Sequence, residues 1–151
     1  MEHSDMAQQV LVEHGMLKHI MEGLRATVAW PIHGGDFSRK LSTLRFISQS
    51  FQRHLERLTS LEEFDGYMNL VMEANPHLAK NVEGLREEHH RLRSSLRRLV
   101  HGLERIAATD QAAFAQAIQE LSAILDRVDE HHKKEASLVQ EALERDGGGE
   151  G

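Results

Sequence analysis

The sequence predicts an all-α protein, an up-down-up-down four-helix bundle, and three observations carry that expectation. Apolar residues recur in alternating steps of four and three along four long stretches, the spacing that lines one face of a helix. Leu, Ala, Glu and Arg are abundant, whereas the 151 residues include only two prolines and 5% aromatics, a balance that favours helix. The interruptions at Pro31–Asp36, Asn75-Pro76 and Thr109-Asp110 are short. Short loops set each helix antiparallel to the next.

The first helix is expected from about Ser4 to Val28, with Ser4 or Asp5 as its cap and a seam of Val10, His14, Leu17, Met21, Leu24 and Val28. His19 falls off that seam and reads as exposed. Proline and paired glycines break the chain at Trp30–Asp36, leaving His33 in a solvent-facing loop. The second helix runs from near Phe37 to Ala74, where Asn75-Pro76 stops it, and Gly66 weakens its last part. Its seam is Phe37, Leu41, Leu44, Ser48, Phe51, Leu55, Leu58 and then Glu62, with His54 on the flank. The third, from His77 to about Ala108, carries Leu78, Val82, Leu85, His89, Leu92, Leu96, Leu99, Leu103 and Ile106. Thr109 or Asp110 caps the fourth. There two stripes overlap, one through His131 and one through His132, and both contain Glu135. The bundle should occupy residues 1–146, with 147–151 as a disordered glycine-rich tail.

Composition narrows the function. A net charge of −6 argues against a nucleic-acid partner, because phosphate contacts need clustered Lys and Arg. The densest basic group, Arg91, Arg93, Arg97 and Arg98, lies between seam positions and reads as a solvated face. With no cysteine, disulfides, thiolate metal sites and cysteine nucleophiles are excluded. No apolar run reaches membrane-spanning length and no signal peptide is evident, so the expected location is the cytoplasm. The eleven histidines are the unusual count, since imidazole is the commonest metal ligand.

Several of those histidines stand in core slots. A buried polar group left unpaired costs about 1–3 kcal/mol, so a seam histidine must be hydrogen-bonded, neutral or metal-bound. One instance reads as a satisfied core histidine; repetition across helices does not. At roughly 1.5 Å per residue, the distance of His89 from Asn75-Pro76 folds back to the neighbourhood of Glu62. By the same measure His14 levels with Phe51–Leu55, and His89 levels with about Asp129, close to His131. Polar seam residues of all four helices therefore meet in one layer: His14, Glu62, His54 on the flank, His89, His131 or His132, and Glu135. Imidazoles and carboxylates without thiolates suit iron, manganese or zinc. His131 and Glu135 share the i, i+4 spacing that stacks side chains on one face. The ferritin-type arrangement needs Glu-x-x-His on two helices; only Glu87-x-x-His90 fits, so that arrangement is set aside.

On these residues the chain resembles the hemerythrin-like, histidine-histidine-glutamate cation-binding family over nearly its whole length. That family carries a His on helix one, His-x-x-x-Glu on helix two, His on helix three and His-x-x-x-Glu on helix four. His14, His89, His131 and Glu135 match the pattern, and Glu62 stands at the helix-two glutamate. Leu58 stands where the helix-two histidine is expected, with His54 either a displaced substitute or a bystander. The resemblance implies a non-haem iron centre, di-iron or single, that binds or senses oxygen, nitric oxide or iron. Its expected partners are thus a small diatomic ligand or a metal ion. Two other readings stay open: a metal-free helical interaction module with a vestigial site, and a di-iron redox enzyme acting on peroxide. Whether the chain is an enzyme is left undecided by the sequence.

Overall fold

A computed structural model of the chain describes residues 2–32 and 36–149, with side chains described except at 2–7, 65 and 145–149. It is an up-down-up-down four-helix bundle with no strand among the described residues. The elements are α1 (Glu2–Val28), α2 (Asp36–Ser60), a π turn (Leu61–Asp65), α3 (Tyr67–Ala74), a 3-10 turn (Pro76–Leu78), α4 (Ala79–Arg105) and α5 (Gln111–Gly149). Among the described residues, no helix is long and apolar enough to cross a membrane.

The periodic stripes are the buried faces. On α4, Val82, Leu85, His89, Leu92, Leu96, Leu99 and Leu103 are all buried. The large cluster joins Leu17, Leu24, Leu41, Phe51, Leu58, Leu92, Leu96, Phe114 and Val128, among others, through most of the bundle. A smaller one gathers Met68, Val71, Leu78, Val82, Leu85, Leu138 and Ala142 at one end. Between these clusters in the helix sequences lie Glu62, His89, His131 and Glu135, all buried.

Helix ends are closed by side chains reaching across the bundle. Lys40 Nζ donates to the carbonyls of Val28 and Trp30 at 2.8 and 2.7 Å. Arg45 donates to those of Leu103 and Ile106 at 2.7 and 2.6 Å. Both sets of carbonyls belong to C-terminal ends, where orphan acceptors and the helix dipole favour a cation. Asp110 Oδ1 accepts from the Ala113 N–H at 3.1 Å, an N-terminal cap for α5.

The structure departs from the sequence expectations at several ends. α1 begins at Glu2, upstream of Ser4 and Asp5, and α4 stops at Arg105 because Ile106 is extended. α5 continues to Gly149, so residues 147–149 are helical rather than a disordered tail, while 150–151 lie outside the described residues. His33 also lies outside them. The main correction concerns helix two, which is not one continuous α-helix. It widens into the π turn at Leu61–Asp65 and restarts at Tyr67.

Gly66 explains why the chain can do this. A Cβ there would stand 2.7 Å from both the Glu62 Cα and the Leu61 carbonyl oxygen. Only glycine lets the backbone close so tightly on the turn that carries Glu62, and π turns of this kind cluster at functional sites.

Two stability predictions test this packing. Leu92→Ala and Leu96→Ala, each at 0% exposure, should cost about 2–5 kcal/mol in denaturant unfolding. Losses below about half a kcal/mol at both would mean that the seam is not the core. Gly66→Ala should cost about 1–3 kcal/mol through backbone crowding, and an unchanged unfolding midpoint would contradict the close approach.

Candidate metal centre

Four helical segments deliver polar side chains to one point of the core. α1 brings His14, the π turn Glu62, α4 His89, and α5 His131 and Glu135. Their ligating atoms form two overlapping groups, His89/His131/Glu135 and His14/Glu62/Glu135, each with all its atoms within 4.8 Å of one another. Glu135 belongs to both. Glu62 also spans the two, with Oε2 3.8 Å from His14 Nε2 and Oε1 3.7 Å from His89 Nε2. His89 Nε2 lies 3.5 Å from Glu135 Oε1 as well, so this one nitrogen faces both carboxylates.

The outer partners fix how these side chains are presented. His131 Nδ1 lies 2.6 Å from Glu88 Oε1; a carboxylate accepts, so Nδ1 carries the proton, and Nε2 is turned toward Glu135. Glu88 is held in turn by Lys134 at 3.0 Å. On the other side His89 Nδ1 faces Glu63 Oε1 at 3.5 Å, and Glu63 is held by Arg93 at 3.1 Å. Arg93 also donates to Thr59 at 3.0 Å, so it buttresses the site and is not part of a solvated face. Tyr67 donates its hydroxyl to Glu135 Oε2 at 2.7 Å. Carboxylate backing of a ligating imidazole fixes its tautomer and raises its basicity.

Electrostatics divide the two central carboxylates. Burial, with the Glu135 and Glu63 carboxylates adding to it, pushes Glu62 up to about 11. Burial would raise Glu135 too, but its contacts with His131, His89 and Glu62 outweigh that and hold it well below the usual range. Burial lowers His131, yet Glu135 and Glu88 more than compensate and raise it. The Tyr67 phenol is pushed far up by burial and the nearby carboxylates, so it stays a neutral donor. Burial drives His132 down to about 4, leaving a neutral imidazole whose ring centroid is 4.8 Å from that of His14.

The residues fit a cation. Both oxygens of Glu62 and His131 Nε2 are buried and have no hydrogen-bond partner. His131 Nε2 and Glu135 Oε1 approach to 2.6 Å, but without hydrogen-bond direction, so this proximity leaves the nitrogen unsatisfied. Buried polar atoms of this kind are normally paired. A positive ion among them would satisfy lone pairs that the protein leaves open, and the imidazole and carboxylate donors suit iron, manganese or zinc.

A cleft of about 660 Å³ opens on one side of the layer. His14, Glu62 and Glu135 line it together with Tyr67 and His132, whereas His89 and His131 do not.

Five of the six residues singled out from sequence, His14, Glu62, His89, His131 and Glu135, come together. His54 does not: its Nδ1 lies 2.9 Å from Glu13 Oε2, and Arg57 holds the other Glu13 oxygen at 3.1 Å. The flank position of His54 aims it at α1 and outside both groups. Of the adjacent pair, His131 is the buried one, at 2% exposure. Leu58, at 0%, is packed in the core with no polar atom to offer. Sequence reasoning missed Tyr67, Glu63 and Glu88. Glu88 directly precedes His89, and Glu63 follows Glu62, but neither stands in a seam. Tyr67 is brought inward only by the break at Gly66.

Comparison with curated proteins and with solved structures finds no match. The family model for the hemerythrin HHE cation-binding domain matches residues 5–143. That span takes in every member of both groups and nearly all of the bundle, and on it the chain belongs to the hemerythrin HHE cation-binding family.

Proposed function

We propose that the chain holds two non-haem iron ions in the polar layer and binds a small diatomic ligand, oxygen or nitric oxide, at one of them. On this reading His89, His131 and Glu135 hold one ion, and His14, Glu62 and Glu135 hold the other, with Glu135 common to both. Iron would supply redox activity and open coordination positions that no side chain here provides. The chain's own part is to orient and enclose. Glu88 sets the ring of His131, Glu63 stands beside His89 Nδ1, Tyr67 holds Glu135 Oε2, and the surrounding leucines keep bulk water out.

The observation that carries the reading is the unequal surroundings of the two groups. The one with two imidazoles is shut into the core, and the one with a single imidazole faces the cleft. An ion in the second group has one imidazole donor instead of two and lies on the side that the cleft opens to a ligand.

Metal content and the visible spectrum of an aerobically handled, iron-loaded sample test the proposal. His89→Ala should lower iron affinity at least as far as losing an outer partner does, about 10–100-fold. His19→Ala, whose side chain is 83% exposed, should leave it unchanged. Equal iron content in both variants would sink the proposed site and favour a metal-free helical module.

Leu58→His probes the gap in helix two. It puts a nitrogen one turn before Glu62, within reach of the group that has one imidazole. This variant should hold the iron of that group more tightly than the parent does and melt at higher temperature when iron is present, by ligand linkage. Without iron it should be less stable, because a buried apolar contact becomes a polar group. Iron affinity unchanged from the parent in this variant would show that another residue fills the position.

A further inference from the structure

The cleft beside the His14/Glu62/Glu135 group is much larger than a diatomic molecule requires. At about 660 Å³ it falls within the range of roughly 300–1,000 Å³ typical of pockets for small organic ligands. Its walls are apolar: Val10 and Leu11 from α1, Leu70 from α3, Val139 and Leu143 from α5. Three of these stay well exposed, Leu11 at 71%, Leu70 at 49% and Leu143 at 67%, so these three are left free of the bundle's core packing. Apart from the exposed Gln140, its polar side chains gather at the inner end, where Glu62 is 1% exposed and both its oxygens lack a hydrogen-bond partner. An apolar trough that ends on unsatisfied ligating atoms is shaped for an amphiphile, tail along the walls and head at the metal position.

Charge selects the head group. Without a cation, Glu62 and Glu135 disfavour any anion at that end. With two divalent ions held by two carboxylates and neutral imidazoles, the layer carries net positive charge and an anionic oxygen donor becomes the natural exogenous ligand. His89 and His131 are buried and do not line this cleft.

We infer that the cleft binds a monocarboxylate with a medium-length alkyl chain, its carboxylate on the ion held by His14, Glu62 and Glu135 and its chain against Leu11, Leu70 and Leu143. This inference rests on the metal reading above and adds the class of organic ligand that the same site accepts.

Calorimetric titration of the full-length, iron-loaded protein with acetate, hexanoate and decanoate tests it, with azide as a small-anion control and decanol as a headless one. Affinity should rise along the acid series, approaching fourfold per methylene where burial is complete, from about 0.8 kcal/mol each. Decanol should bind at least tenfold more weakly than decanoate, and iron-free protein should lose decanoate binding. Leu70→Asp, a change at a half-exposed wall position, should flatten the chain-length series while leaving iron content and azide binding as in the parent. A flat series in the parent, equal binding of decanol, or an unaltered series in Leu70→Asp would overturn the inference while iron uptake and azide binding keep the metal reading intact. Failure to take up iron would overturn both.

Discussion

Two carboxylates buried side by side set the terms for everything around them. Glu62 and Glu135 are 1% and 5% exposed, and Coulomb repulsion at such range in a low-dielectric interior is severe. The protein answers from one side only. It brings His89, His131 and Tyr67 to Glu135, which stays ionised, and leaves Glu62 without any hydrogen-bond donor. In the absence of a cation Glu62 must hold a proton, and the layer is then a weak seam in the core. With a cation the same groups become a satisfied cluster. The large apolar cluster beside the layer and the smaller one at the bundle's end supply the packing that lets such a seam exist at all.

The next ring outward repeats one motif three times. Glu63, Glu88 and Glu13 each stand between an imidazole and a cation: His89 and Arg93, His131 and Lys134, His54 and Arg57. The first two stand behind rings that belong to the candidate metal groups, and the Glu88 hydrogen bond fixes the tautomer and direction of His131. The third is an imitation of that pattern on the flank of α2, with the histidine turned away from the layer. It shows that an imidazole with a carboxylate partner is not by itself a ligand. What distinguishes His89 and His131 is that their second nitrogen looks at Glu135.

The fold was legible because the helices are long, their apolar spacing is regular, and their breaks carry proline, glycine or Asp110. The polar layer was legible for the same reason: His89, Glu62 and Glu135 interrupt stripes that are otherwise apolar, and equal depth along antiparallel helices brings them level. Two things were not. Spacing alone placed both His131 and His132 beside Glu135, since α5 has two overlapping stripes, and only packing turns His131 inward. The π turn was hidden because an extra residue per turn leaves no mark in periodicity; Gly66 read as a weakened helix, when its role is to let the backbone close on Glu62. Tyr67 follows from that. In a continuous helix it would not share Glu62's face, and the break is what carries its hydroxyl to Glu135.

The break also accounts for the asymmetry of the site. A straight α-helix from Asp36 to Ala74 would keep one register of side chains against the core throughout. The π turn and the restart at Tyr67 let α3 depart from that register, burying Met68 and Val71 in the small cluster while Leu70 stands on the cleft. One local irregularity thus aims Glu62 into the layer, adds the Tyr67 donor, and forms a wall of the opening beside His14. The enclosed group, with two imidazoles backed by Glu63 and Glu88, has the stronger donors and the closed surroundings. The open group has one imidazole, a leucine where a second would stand, and apolar walls above it. On the proposed reading, tight retention of one ion and exposure of the other would follow from that division, to which the few residues around Gly66 contribute.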